Sequence, residues 1–251
     1  MPGLLTGRVA IITGAASVRG IGWACGRLFA GEGATLALLD LDAGAAQAAA
    51  DALGPGHRGL ACDVRNAARC EAGVAQVLAE FGRLDILVNN AGVSQPHHLM
   101  DSTQDDYDLV FDSSVRGTYN MSRSVVPHFR RQRSGVIVCM GSVAAQRGGG
   151  ILGGPHYAAA KGAVQAMAKA MARELGPDNV RVNALSPGLV ETDLLLGKLT
   201  DDGRARAIAN TPAGRLARPE DIAGACLFLA SDLSSFVTGT VLDVNGGLHI
   251  H

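Results

Sequence analysis

The chain has 251 residues, close to half of them hydrophobic and few aromatic, with a formal net charge of −1. That length suits one α/β domain whose core needs no disulfide or metal staple. Both charge signs are scattered and no basic run occurs, which excludes a phosphate-backbone footprint and, with it, a nucleic-acid partner. Cys25, Cys62, Cys70, Cys139 and Cys226 are odd in number, far apart and free of CxxC spacing. They read as reduced thiols of a cytoplasmic protein with no metal site. The N-terminus lacks the pattern of a signal peptide, and no apolar run approaches the ~20 residues that span a bilayer.

Strand-like and helix-like segments alternate along the chain. Residues 8–13 form a short apolar run suited to a buried strand, and 20–30 carry helical spacing. Residues 34–39 repeat the strand pattern. The Ala-rich stretch 43–53 reads as a helix that Gly54-Pro55-Gly56 stops. Strands are then expected at 58–62 and 84–88, with a helix at 67–81 between them. In the second half, 103–131 reads as mostly helical and 135–140 as a strand. A helix follows at 155–175, with Pro155 in its first turn, and a strand at 180–185. Residues 219–230 close the helices and 240–244 the strands. Such alternation predicts a Rossmann-like, doubly wound parallel sheet of about seven strands with helices on both faces. No linker divides the chain, so residues 1–251 read as a single domain. Residues 191–215 are the least regular stretch, expected either to cover an active site or to hold a short peripheral helix.

The run Thr13-Gly14-Ala15-Ala16-Ser17-Val18-Arg19-Gly20-Ile21-Gly22 lies between a strand and a helix. Glycines there let the backbone turn tightly and approach a pyrophosphate, which the helix N-terminus attracts. Asp40 ends the second strand, where a carboxylate bonds the adenosine ribose hydroxyls and repels a 2′-phosphate. That favours NAD over NADP. Arg19, a basic residue in the glycine loop, points the other way. Asp42 is better placed than Asp40 to cap the next helix.

These motifs, with those that follow in order, resemble the short-chain dehydrogenase/reductase family over nearly the whole chain. The glycine run is similar to the family's TGxxxGxG, lengthened before Gly20. Asn89-Asn90-Ala91-Gly92 resembles NNAG, and Tyr157-Ala158-Ala159-Ala160-Lys161 resembles YxxxK. Pro187-Gly188 with Thr192 resembles PG…T, and Asn245-Gly246-Gly247 resembles the C-terminal DGG. The resemblance implies that Asp63 and Val64 border the adenine. It implies further that Asn90, Ala91 and Gly92 line the adenosine and ribose, and that Val190 and Thr192 hold the nicotinamide carboxamide. The Asn89 side chain is expected to tie strands together. Family members commonly form tetramers through helices such as 103–131 and 155–175, so a homotetramer or homodimer is expected.

Reduction of a ketone needs a hydride donor and a proton donor. A tyrosine has a free pKa of ~10, and a lysine one helical turn away stabilises its anion. Tyr157 and Lys161 have that spacing. By resemblance, Lys161 also bonds the nicotinamide ribose and Ser142 bonds the substrate oxygen beside Tyr157. The gap from Ser142 to Tyr157 is longer than in the family, and the glycine-rich loop 148–154 takes up the difference beside the substrate. Ser114 stands where the family commonly has an Asn that holds a water in a proton relay, a role Ser114 is expected to replace in part. His97, His98, His128 and His156 lack ligand spacing, and His156 adjoins Tyr157 in a place to touch substrate. His249 and His251 read equally as a subunit contact or an unpaired tail.

The expected activity is NAD-dependent hydride exchange with a secondary alcohol or ketone, such as a polyol, sugar or hydroxy acid. An NADPH-dependent 3-oxoacyl thioester reductase is the alternative. A nucleotide-sensing protein on the same fold is the non-enzymatic one.

Overall fold

The structure is a computed structural model that describes residues 3–150, 153–195 and 199–251. Met1 and Pro2, Ile151 and Leu152 of the glycine-rich loop, and residues 196–198 of the irregular stretch lie outside the described residues. Strands β1 (Val9–Thr13), β2 (Thr35–Asp40), β3 (Arg58–Ala61), β4 (Ile86–Asn89), β5 (Gly135–Met140), β6 (Val180–Pro187) and β7 (Val241–Val244) form one sheet. Its order is β3-β2-β1-β4-β5-β6-β7, and every pairing is parallel. Helices α1 (Ile21–Gly31), α2 (Ala43–Ala52) and α3 (Ala67–Phe81) make the crossovers of the first half.

Strand alternation sorts the core into two layers. Ala10, Ile12, Leu36 and Leu38 face α1 and α9 (Pro219–Ala230). Val9, Ile11, Ala37 and Leu39 face α3, α5 (Gly117–Gln132) and α7 (Pro155–Leu175). Both faces are therefore apolar, which is why the strands read as continuous hydrophobic runs. Asp42 caps α2 by accepting from Ala45 N–H, as expected. At the edge, α2 lies so close to β3 that a Cβ on Gly59 would sit 2.1 Å from backbone atoms of Ala46 and Gln47.

The structure corrects several details. The helical stretch 103–131 is two helices, α4 (Gln104–Phe111) and α5, joined by a π turn at Asp112–Arg116. Periodicity of 3.6 does not register one extra residue in a turn. The strand expected at 84–88 begins at Ile86 and reaches Asn89. The irregular stretch 191–215 contains α8 (Asp201–Ala209), capped by Thr200 and tied by an Arg204–Glu191 ion pair. A short helix, α6 (Ala144–Arg147), follows β5.

Gly59→Ala forces α2 away from β3. Overpacking of this kind costs about 1–3 kcal/mol. At about 2–4 °C per kcal/mol for a domain of this size, the melting temperature falls by several degrees. Calorimetry of the variant checks this, and an unchanged midpoint would show that the contact is not tight.

Candidate active site

In a doubly wound sheet the ligand crevice opens where successive connections leave in opposite directions. Here that point lies between β1 and β4. Asn90 Nδ2 donates to the carbonyls of Thr13 (3.0 Å) and Gly14 (2.9 Å), and Thr13 Oγ1 accepts from the N–H groups of Asn90 and Ala91. The turn after β1 is thereby fixed against the end of β4. Gly14 takes φ +65°, and a Cβ there would come 2.8 Å from Ala91 Cα. A Cβ on Gly22 would strike the Gly14 carbonyl at 2.5 Å. Both positions need glycine, and the bare backbone leaves room for a pyrophosphate above the α1 N-terminus.

Asp40 closes this loop from the side. Its carboxylate accepts from Ala16 N–H at 2.9 Å and Leu41 N–H at 2.8 Å. Arg19 does not approach it. The Arg19 guanidinium pairs with Asp193 at 3.3 Å, and Asp193 also accepts from Ser17 Oγ at 2.6 Å. The basic residue of the loop is thus directed across the crevice to the segment after β6. At the end of β3 the Asp63 carboxylate is engaged by Arg65, and the carbonyl of buried Val64 accepts from Asn120. Asn89 bonds Ser122 on α5 and lies 3.9 Å from Cys139 Sγ on β5, a structural tie as expected.

A cavity of about 680 Å³ runs from the glycine loop to the second half of the sheet. It brings together Gly14, Ser17, Gly20, Ile21, Asn90 and Gly92 on one side. Ser142, Tyr157, Lys161, Pro187, Gly188, Val190 and Thr192 face them. Arg19, Gly22, Asp40, Asp63, Val64, Ala91 and Ser114 stand behind or beside this lining rather than in it. The site's wall also includes Arg147, Asp193, Asn210, Thr211 and Leu248, none of which sequence reasoning singled out. Arg147 lies five residues beyond Ser142, and Asp193, Asn210 and Thr211 fall within the irregular stretch 191–215, for which covering an active site is one of the two expectations. Leu248 is brought in by the fold.

Ser142 Oγ accepts from Ala144 N–H at 3.1 Å, so it keeps its own proton to give. Lys161 is buried, its Nζ donating to the Met140 carbonyl at 2.9 Å and lying 5.8 Å from the Tyr157 ring centre. Burial pushes the Tyr157 phenol up, opposed by the Ser142 hydroxyl. The direction is upward rather than the lowering expected from Lys161, because desolvation of the phenolate dominates. A phenol of raised pKa holds its proton at neutral pH and suits a proton donor. Gly153 is packed against the same ring: a Cβ there would meet Tyr157 Cδ1 at 2.2 Å.

Among the described residues, the buried hydroxyls of Ser94 and Ser114 have no protein partner. The π turn aims Ser114 inward. A Cβ on Gly92 would lie 3.1 Å from Ser114 Oγ and 3.4 Å from Lys161 Nζ, so both groups border one small space. His156 does not touch substrate space. Neighbouring helical residues diverge by about 100°, and His156 is buried against Ser102 Oγ at 3.3 Å. At the C-terminus, His251 pairs within the chain, with Asp243 at 3.0 Å.

Desolvation lowers Lys161 from 10.5 to about 8. Between those values the unfolded chain binds more protons than the folded one, so this group's contribution to stability rises with pH. Lys161→Met should therefore melt above the wild type near pH 7, with the difference closing as pH passes from 8 toward 10.5. A pH-independent difference in calorimetry would contradict a desolvated ammonium.

Comparison with known proteins agrees with this geometry. The family model described as enoyl-(acyl carrier protein) reductase matches residues 14–249. A short-chain type dehydrogenase/reductase of Sinorhizobium fredii is 49% identical over 99% of this chain and 100% of its own length. The 3-oxoacyl-[acyl-carrier-protein] reductase of Vibrio harveyi is 39% identical over 98% and 99% of the two chains. Among solved structures, the 3-ketoacyl-(acyl-carrier-protein) reductase of Brucella melitensis complexed with NADH superposes with a TM-score of 0.91 at 37% identity, covering 98% of this chain and 100% of that one. With the motifs, the sheet order and the Ser142–Tyr157–Lys161 cavity in agreement, this chain belongs to the short-chain dehydrogenase/reductase family of oxidoreductases.

Proposed function

We propose that the protein uses NADH to reduce the keto group of a 3-oxoacyl substrate to a secondary alcohol. The observation that carries this reading is the convergence of Ser142, Tyr157 and Lys161 on a largely apolar cavity shared with the glycine loop. Val93, Val143, Leu189, Leu194 and Leu248 suit an acyl chain and leave a sugar or polyol few partners. The kinship with 3-oxoacyl reductases supports the same choice over the polyols and sugars that composition left open.

The nicotinamide, when bound, supplies the hydride. The chain's own residues do the rest. Tyr157 and Ser142 hydrogen-bond the carbonyl oxygen, and Tyr157 gives it a proton as charge develops. Lys161 stabilises the tyrosinate left behind. The Val190–Thr192 strap is held by backbone bonds between Glu191 and Ala217 and between Ala217 and Leu189, which fits it to hold the carboxamide. Ser114 is read as a relay group: its hydroxyl, without a partner among the described residues and beside Lys161, is suited to hold a water that returns the proton. Asp40 is read as the ribose ligand that disfavours a 2′-phosphate, while Arg19 is engaged by Asp193. Asp63, Val64 and Ala91 are read as flanking the adenosine.

The free, buried cysteines accord with a cytoplasmic, reducing setting. Exposed Leu233 and Phe236 beyond α9, with Tyr107 and Tyr119 on α4 and α5, accord with a homotetramer or homodimer. No helix among the described residues is long and apolar enough to cross a membrane.

Reduction of an N-acetylcysteamine thioester of 3-oxobutanoate, compared with a panel of sugars and polyols, tests the substrate reading. Turnover of the panel without the thioester would overturn it. Tyr157→Phe should keep NADH affinity and lose about 10²–10⁴-fold in turnover, and near-normal turnover would remove Tyr157 from the chemistry. Ser114→Ala should slow turnover and alter its solvent isotope effect, whereas equal or faster turnover would end the relay assignment. Calorimetry should show tighter NADH than NADPH binding. Asp40→Ala should shrink that preference by about a hundredfold, since one close charge repulsion near a surface is worth a few kcal/mol. NADPH preference in the wild type would mean that Arg19 outweighs Asp40.

A further inference from the structure

The charged side chains among the described cavity-lining residues are Arg147, Lys161 and Asp193. Lys161 is buried beside Tyr157, and Asp193 is paired with Arg19 at the cofactor end, where it also accepts from Ser17 Oγ. That leaves Arg147 to set the charge at the substrate end. It is the last residue of α6, which Gly148 terminates with φ +82°. One of its five N–H donors, on Nη1, goes to the Leu248 carbonyl at 3.2 Å. No carboxylate among the described residues pairs with it; the nearby Asp243 is taken up by Gln146 and His251.

The Leu248 carbonyl is itself well held. Leu248 N–H donates to Asn245, Asn245 Oδ1 accepts from Gly247 N–H, and Asn245 Nδ2 donates to the His249 carbonyl. The C-terminal segment therefore holds the guanidinium of the exposed Arg147 at the rim of the cavity. Its remaining donors suit the paired oxygens of an anion.

We infer that Arg147 forms an anion subsite, and that the substrate carries a carboxylate or phosphate in addition to the keto group. The inference rests on the reading of Ser142 and Tyr157 as the reacting end. The two sources of anionic oxygen are the carboxylate of a free 3-oxo acid and the phosphate of a pantetheine thioester. Arg147 is a specificity residue in either case.

The test uses the full-length enzyme with NADH and two matched pairs. One pair is 3-oxobutanoate and its methyl ester; the other is 3-oxobutanoyl pantetheine with and without the 4′-phosphate. Arg147→Met should raise KM for the charged member of one pair by about tenfold or more, the scale of a charge-assisted hydrogen bond. Its neutral partner should change less than about twofold, and Arg147→Lys should recover part of the loss. The pair that responds identifies carboxylate or phosphate. Equal effects on both members of both pairs, or no effect, would overturn the subsite. Should the wild type reduce neither pair, the 3-oxoacyl reading fails, and the subsite is read separately from quenching of bound NADH fluorescence by butanoate, methyl phosphate and neutral butanamide. Saturation by an anion that Arg147→Met abolishes supports it, and no anion binding to the wild type overturns it.

Discussion

The hydrogen bonds from Asn90 to the carbonyls of Thr13 and Gly14 are the constraint on which the rest of the site depends. Parallel strands cannot be joined by tight turns, so each connection crosses a face of the sheet through a helix. At β1 and β4 the two halves of the sheet lead away from one another, and a crevice opens between their ends. The Asn90 side chain satisfies backbone groups there without filling the crevice. Glycine at Gly14 and Gly22 lets the chain segments meet closely enough for that amide to bridge them.

The second half of the cavity follows from where α7 lies. Packed against the lower core through Val164, Ala168 and Ala172, it presents Tyr157 and Lys161 from its first turns to the open ends of β5 and β6. Burial then works on both groups in the same sense, disfavouring charge. It raises the phenol and lowers the ammonium. The result is a phenol held in its neutral form beside an amine whose pKa falls to about 8. The Met140 carbonyl, at the end of β5, holds the ammonium in place.

The strands and most helices were legible because each carries a full local pattern. Continuous apolar runs mark strands buried on both faces, and Gly54-Pro55-Gly56 or Pro155 mark helix ends. The Tyr157–Lys161 pair was legible for a similar reason, since four-residue spacing on one helix fixes a shared face. The π turn at Asp112–Arg116 was not, because its extra residue leaves the apolar spacing nearly intact. His156 was misplaced because adjacency in sequence is divergence on a helix. Reading Arg19 from its place in the glycine loop missed its partner, as Asp193 comes from the far side of the crevice.

By itself, then, the amino-acid sequence determined the α/β alternation, the glycine turn, the acidic end of β2 and the spacing of the reactive side chains. All of these depend on residues within one or two turns of each other. Only the tertiary structure decided the protonation tendencies of Tyr157 and Lys161, the pairing of Arg19 with Asp193 and the direction of Arg147. It also decided which residues of α8 and the C-terminal segment line the cavity. Those properties arise from desolvation and from contacts between segments distant in the chain, and neither has a local pattern to read.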